Sequence, residues 1–111
     1  MERKSKTLTF STATSNILTL FEDANYQIPS GIIIPNDAAF NGKTLEVQVS
    51  DGGSGAYYPL YDMDGAKFTI TLGANRAIYF DMGNFVGWKF LKFVASGSLD
   101  GKTMIVAYSG L

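Results

Sequence analysis

The stretch LEVQVS, residues 45–50, alternates strictly between apolar and polar side chains. Successive side chains of a strand point to opposite faces, so this period of two predicts a strand with one face in a core and the other towards solvent. The following DGGSG, residues 51–55, predicts a flexible turn, because glycine accepts positive φ angles at no steric cost. Tyr57–Tyr61 is then expected to return as the antiparallel partner strand.

The same reading extends over the rest of the chain. Further strands are predicted at residues 17–21, 67–72, 76–80, 88–95 and 103–108. Residues 27–29 and 31–35 are expected to be extended, with Pro29 and Pro35 suggesting an edge or a strand end. The strand at 88–95 is the most hydrophobic and is expected to be central, since apolar residues occupy both of its faces. No segment longer than a turn has a period of 3.6. The chain therefore predicts an all-β, antiparallel, jelly-roll-like β-sandwich of about eight short strands over residues 17–111.

Residues 1–16 differ in composition from this domain. Basic residues cluster in the first six positions, and a stretch rich in Ser and Thr follows. Leu8 and Phe10 are the large apolar residues of this stretch, and their spacing by two is typical of a strand with one buried face. We expect an extended N-terminal arm that adds a strand at Lys6–Phe10 and contacts a neighbouring subunit through Leu8 and Phe10.

Composition excludes several classes of function. With 111 residues, of which 46% are hydrophobic, the chain can build one modest core. A formal net charge of −1 argues against a nucleic-acid partner. Apolar runs such as Ile32–Ile34 are far too short for a membrane span. Without histidine or cysteine the chain has no Ser-His or Cys-His catalysis, no zinc site of the usual kind and no disulfide, so we predict no enzyme activity and no cofactor.

Two groups of residues are candidates for a binding site. Asp62 and Asp64, followed by Gly65, resemble the opening of a calcium loop, but the positions that an EF-hand needs further on are Ala66 and Gly73. An ordinary Asp-Gly turn is the simpler interpretation, and Asp62 and Asp64 remain only weak candidates for a metal.

Aromatic residues suit an interface better. Tyr57, Tyr58 and Tyr61 lie within five positions, where they could contact a partner protein, stack on the ring of a glycan, or simply pack. Arg76, at the start of a predicted strand, could pair with a carboxylate of a partner subunit. We therefore predict an interface that includes Tyr57, Tyr58, Tyr61 and Arg76.

The middle of the chain also resembles known proteins. The order of 45–53, Tyr57–Leu60, Arg76–Phe80 and Gly87–Lys92 resembles small accessory proteins encoded among the virion structural genes of tailed bacteriophages. Its strand pattern is similar to that of discoidin-like, galactose-binding-like jelly rolls. The chain lacks the terminal cysteines and long ligand-binding loops of discoidin-like domains, so no sugar or lipid site is carried over.

The phage resemblance implies a virion component. It implies a capsid decoration (cement) protein that docks on the major capsid protein at the virion surface after assembly in the host cytoplasm. A homo-oligomer, favoured as a trimer, would provide the repeated contacts. The alternatives are a head or tail fibre or adaptor component, and a small carbohydrate-binding jelly-roll module with a glycan as its ligand.

Overall fold

The all-β prediction is confirmed. The computed structural model describes residues 3–22, 25–51, 55–81, 85 and 87–110. Within these ranges every paired strand is antiparallel to its neighbours, and a short 3₁₀ turn at Ala38–Phe40 stands between two strands. Asp37 begins that turn by accepting the Ala39 backbone N–H through Oδ1 at 2.9 Å, as a capping residue does.

Eleven strands form a curled sheet. They are β1 (Arg3–Ser11), β2 (Thr14–Ser15), β3 (Leu18–Thr19), β4 (Phe21–Glu22), β5 (Asn25–Ile34), β6 (Thr44–Ser50), β7 (Tyr58–Pro59), β8 (Thr69–Thr71), β9 (Arg76–Tyr79), β10 (Phe90–Ala95) and β11 (Thr103–Gly110). Several are only two or three residues long, which is why the sequence predicted fewer. The strands predicted around residues 45–50, 67–72 and 103–108 are present.

The sheet curls into two layers. Layer A has the order β1-β11-β5-β9, with β4 pairing the beginning of β5. Layer B is built on β10 and β6, with β2 and β3 on one side and β7 and β8 on the other. The end of β1 joins the layers, because Phe10 and Ser11 pair with β2 while residues 3–9 pair with β11.

One core lies between the layers. The inward positions of β6, predicted from the alternation of 45–50, are fully buried, and those of β10 pack beside them. Phe68, Phe80 and Phe85 meet edge to face, with ring centroids 5.5–6.4 Å apart, as aromatic quadrupoles favour. Ser15 is one of the polar residues buried here, and its hydroxyl accepts the Phe93 N–H and donates to the Asn16 carbonyl, each at 2.9 Å.

The structure corrects the expected N-terminal arm. The strand predicted at Lys6–Phe10 exists, but it pairs with β11 of the same chain, from Arg3 opposite Ser109 to Thr9 opposite Thr103. Leu8 and Phe10 are 0% and 1% exposed. Their spacing by two was read correctly as a half-buried strand, but the buried face belongs to this chain's own core. Both are core residues of the domain.

The two extended segments expected around Pro29 also form one strand. Pro29 and Pro35 suggested an edge or strand end, yet β5 runs unbroken from Asn25 to Ile34 between β11 and β9. Pro29 lies opposite Tyr108, beside a register shift of the ladder between Ala107 and Tyr108. A missing N–H is tolerated at such an irregularity, so proline does not end the strand there.

Candidate interface surfaces

The outer face of layer A has no charged side chain among those the structure describes. We call this surface the charge-free face; its members are Ser5, Thr7, Thr9, Gly31, Ile33, Ala77, Tyr79, Thr103, Ile105 and Ala107. They come from alternate positions of four neighbouring strands, opposite to the buried positions. The surface is polar only through hydroxyl groups.

Large apolar side chains are exposed on this face. Tyr79 is 89% exposed, Ile33 48% and Ile105 42%. Ile33 and Ile105 are direct cross-strand neighbours and, with Pro35 and Thr103, line a shallow hollow of about 120 Å³. A contiguous apolar patch of this kind marks an interaction site more often than singly scattered residues do.

Gly31 brings β9 close to β5 beneath this face. A Cβ at Gly31 would lie 2.7 Å from the Ile78 carbonyl oxygen, closer than side-chain carbons approach backbone atoms. Glycine therefore permits the pairing that places Tyr79 opposite Gly31 and Ala77 opposite Ile33. Gly31 thus allows β9 to join the charge-free face as its fourth strand.

Layer B presents a charged outer face. Lys67 Nζ lies 2.9 Å from Glu46 Oε1, and the Gln48 amide donates to Glu46 Oε2 at 2.7 Å. The hydrogen bond from Gln48, followed by the Lys67 ammonium, lowers the pKa of Glu46 below its ordinary value. Glu46 in turn raises the pKa of Lys67. Both side chains are partly exposed, so water screens the pair and its contribution to stability is small.

The tyrosine cluster lies at the edge of layer B. Tyr58 and Tyr61 are 64% and 52% exposed, while Tyr57 is half-buried with the Lys92 ammonium 4.5 Å from its ring centroid. The Tyr57 hydroxyl is buried and has no hydrogen-bond partner among the described residues, and burial raises the pKa of Tyr57. Lys67 lies over the Tyr61 ring at 5.8 Å. The described contacts include no ring-to-ring pair within this cluster.

A cleft opens beside Tyr61. Its volume is about 350 Å³, and Asp62, Lys67 and Phe68 contribute to its walls. In the hairpin that forms one wall, the Asp62 N–H donates to the Ala66 carbonyl at 2.9 Å and the Gly65 N–H donates to the Asp62 carbonyl at 3.1 Å. The cleft is open to solvent and combines an aromatic ring with charged groups.

The Asp62 carboxylate is used by the turn itself. Its Oδ1 accepts the backbone N–H groups of Asp64 and Ala66, each at 2.9 Å, and Gly65 adopts φ +86°. This is the side-chain-capped turn that Asp favours. Among the described residues no three acidic, histidine or cysteine side chains come together as a metal site would require.

Arg76 lies at the exposed start of β9, as the sequence placed it. Its guanidinium packs over Gly73, where it fills the space that a Cβ would occupy. The structure thus brings Arg76 to the edge of layer A, whereas the three tyrosines that the sequence grouped with it lie at the edge of layer B. Leu8 and Phe10, the remaining predicted interface residues, lie in the core.

Sequence reasoning missed the charge-free face. A signal was present in the sequence: in the strand predicted at 76–80, alternation that places Ile78 and Phe80 on one face requires Tyr79 on the other. What the sequence did not show is that Ile33, Ile105 and Tyr79 belong to neighbouring strands, because those pairings join segments more than forty residues apart.

Comparison with known proteins gives a fold. No model of a known protein family matches the chain, and no curated protein matches it. The chain is similar in structure to the SPBc2 prophage-derived protein YomS, with a TM-score of 0.61 and 14% sequence identity over 99% of this chain and 94% of that one. At this identity the likeness shows that the two share a fold from end to end. No helix in the described ranges is long and apolar enough to cross a membrane.

Proposed function

We propose that the protein is a non-enzymatic structural component of a tailed-phage particle, specifically a decoration protein on the capsid surface that is assembled in the host cytoplasm. The fold it shares with a prophage-derived protein over nearly the full length of both chains supports a phage role. So does the sequence resemblance to virion accessory proteins.

The observation that carries the proposal is the charge-free face. The centre of a protein interface is depleted of charged side chains and enriched in aromatic ones, because desolvating a charge is costly. The charge-free face offers Tyr79, Ile33 and Ile105 among hydroxyl groups, whereas the outer face of layer B would have to desolvate Glu46, Lys67 and Lys92. We propose that layer A docks on the major capsid protein.

The size of this face implies repeated contacts. Four strands about 4.8 Å apart and about five residues long cover an area on the order of 300 Å² in plan. Stable interfaces bury about 800 Å² on each partner, so one face alone is too small. Three faces presented together exceed that area and gain avidity over a lattice, which supports a homo-oligomer and agrees with the predicted trimer.

The test is the copy number of this protein in purified particles of the phage that encodes it, measured by quantitative mass spectrometry against the major shell protein. A ratio near one to one, or a simple lattice fraction, supports decoration. About a dozen copies per particle would instead support a vertex or tail component such as a fibre or adaptor. Absence from the particle contradicts the virion role.

A small carbohydrate-binding module is the second candidate function. The cleft of about 350 Å³ beside Tyr61 favours it, since it combines a ring for stacking with the polar groups of Asp62 and Lys67. Retention on a glycan array that Tyr61→Ala abolishes and Ile33→Lys leaves intact would support this candidate. Equal retention by wild type and Tyr61→Ala would exclude the cleft as the site.

A further inference from the structure

Layer A ends in two open strand edges. β9 pairs with β5 on one side, and β1 pairs with β11 on one side over residues 3–9. In the parts of the chain that the structure describes, no strand pairs with the other side of β9 or with β1 at Ser5 and Thr7. An open edge presents unpaired N–H and C=O groups and invites another strand.

On β9 the outward groups are those of Ala77 and Tyr79. The Phe80 N–H donates to the Ser30 carbonyl at 2.8 Å, so this position faces β5. Backbone groups of a strand alternate between its two sides, so Ile78 also faces β5 and Ala77 and Tyr79 face away. Neither outward position carries a charge or a proline, the usual protections of an edge.

On β1 the outward groups are those of Ser5 and Thr7. The Phe10 N–H donates to the Lys102 carbonyl at 3.1 Å, which places the even-numbered positions towards β11. Thr9 faces away, and its outward groups are already satisfied by Asn16, whose Oδ1 accepts the Thr9 N–H and whose own N–H donates to the Thr9 carbonyl. Ser5 and Thr7 continue that edge without such a cap.

These two edges fit each other. β1, β11, β5 and β9 are antiparallel in turn, so β1 and β9 run in opposite directions. Two rows cross the layer: one passes from Thr7 through Ile105 and Ile33 to Ala77, and the other from Ser5 through Ala107 and Gly31 to Tyr79. A second copy set beside the first continues both rows with an antiparallel contact.

We propose that β9 of one copy pairs with β1 of the next, with Ala77 opposite Thr7 and Tyr79 opposite Ser5, and that this head-to-tail contact closes into the trimer. The inference deepens the proposed decoration role and rests on its oligomeric assembly. The occupant is a second copy because one chain supplies both complementary edges. Self-pairing of β9 would leave both β1 edges open, whereas a closed ring leaves none.

Pairing of this kind also places neighbouring charge-free faces side by side. Among the side chains that the structure describes, the resulting surface is continuous across the joined sheets and carries no charge.

The test uses two proline variants, Ala77→Pro and Thr7→Pro. Each proline removes one outward N–H group and leaves intact the hydrogen bonds between its strand and the neighbouring strand of the same chain. We expect light scattering after gel filtration to give a trimer for wild type and a monomer for each variant alone. An equimolar mixture should give a one-to-one heterodimer, since the Ala77→Pro copy keeps its β1 edge and the Thr7→Pro copy keeps its β9 edge. Tyr79→Phe, which keeps the backbone, is the control and should remain trimeric.

Three results would overturn the proposal: a monomeric wild type, a Thr7→Pro variant that associates as wild type does, or a mixture that stays monomeric.

If circular dichroism shows that a proline variant is unfolded, cysteine variants replace it, since the chain has no cysteine of its own. Ala77→Cys mixed with Thr7→Cys should form an intermolecular disulfide, because opposed strand residues lie within the reach of such a bond. No disulfide in the mixture, or equally rapid disulfide formation by Ala77→Cys alone, contradicts the pairing. The assays contain no capsid, so a trimer that is absent from particles would refute only the proposed function.

Discussion

The outer faces of the two layers enclose the same core but differ in chemistry. Layer B carries Glu46, Lys67 and Lys92 on its outer face, held by ion-pair, hydrogen-bond and cation–π contacts within the chain. Layer A presents hydroxyl groups, Ile33 and Tyr79 without a described charge. Water solvates the first surface well and the second poorly. This difference is the reason that layer A, rather than layer B, is proposed as the contact face.

The largest expected effect is on the free energy of unfolding, and it distinguishes the two faces of β1. Phe10 is 1% exposed in the core, whereas Thr9 lies on the charge-free face. Phe10→Ala should lower the free energy of unfolding by about 3–5 kcal/mol, the cost of a large buried side chain and its cavity. Thr9→Ala, the matched control, should change it by less than about 0.5 kcal/mol. Urea denaturation checks both; equal effects would mean that β1 is an arm rather than a core strand.

A lysine placed on each face sharpens the comparison. Ile33→Lys introduces a charge at the centre of the charge-free face, and Gln48→Lys adds one to the already charged face of layer B. We expect Ile33→Lys to weaken binding to undecorated shells at least tenfold, because the ammonium must be desolvated in the contact. Gln48→Lys should bind as wild type does. Cosedimentation measures both, and a stronger loss with Gln48→Lys would assign docking to layer B.

Gly31 tests what holds β9 in layer A. Gly31→Ala should lower the free energy of unfolding by about 1–3 kcal/mol, since the new Cβ meets the Ile78 carbonyl oxygen and β9 must shift. At Gly97 a Cβ would meet only the flexible end of Lys43, at 3.2 Å, so Gly97→Ala should change stability little. Thermal unfolding checks the pair. Equal stability of the two variants would contradict the close approach of β9 to β5.

The smallest expected effect concerns the charges of layer B. The pKa of Glu46 is lowered in the folded protein by Gln48 and Lys67, so its contribution is present above the unfolded pKa and is lost as pH falls through the folded value. Glu46→Gln should therefore be slightly less stable than wild type at neutral pH and equally stable in acid. Chemical denaturation at both pH values measures the difference. A gap that persists in acid would mean that the charge of Glu46 is not its cause.

Local pattern was enough to predict the strands and their buried sides. The alternation of residues 45–50 and 67–72 gave the inward positions of β6 and β8 correctly. A strand with one face in the core needs an apolar residue at every second position, so this alternation is visible in the sequence itself. The Asp-Gly turn after Tyr61 could likewise be predicted, because Asp62 favours capping a turn with its side chain and Gly65 favours a positive φ angle.

The pairing of strands that lie far apart in the chain could not be predicted from one sequence. Leu8 and Phe10 look the same whether their strand joins this chain or a neighbour, and only the pairing of β1 with β11 decides between them. Pro29 suggested a strand end because the sequence does not show the register shift between β5 and β11 that allows a proline at this position. The charge-free face was missed for the same reason, since it is a property of four strands placed side by side.

The most direct test of the account is hydrogen exchange of the outward amides of layer A, measured by NMR on wild type at low and high protein concentration. The Ala77, Tyr79 and Thr7 amides have no ladder partner in the part of the chain that the structure describes, so they should exchange rapidly in the dilute monomer and become protected as copies associate. Amides on the outer edge of layer B should exchange alike at both concentrations. Protection that appears in layer B, or none at Ala77 and Tyr79 under conditions where the protein is associated, would contradict the assignment of layer A as the contact surface.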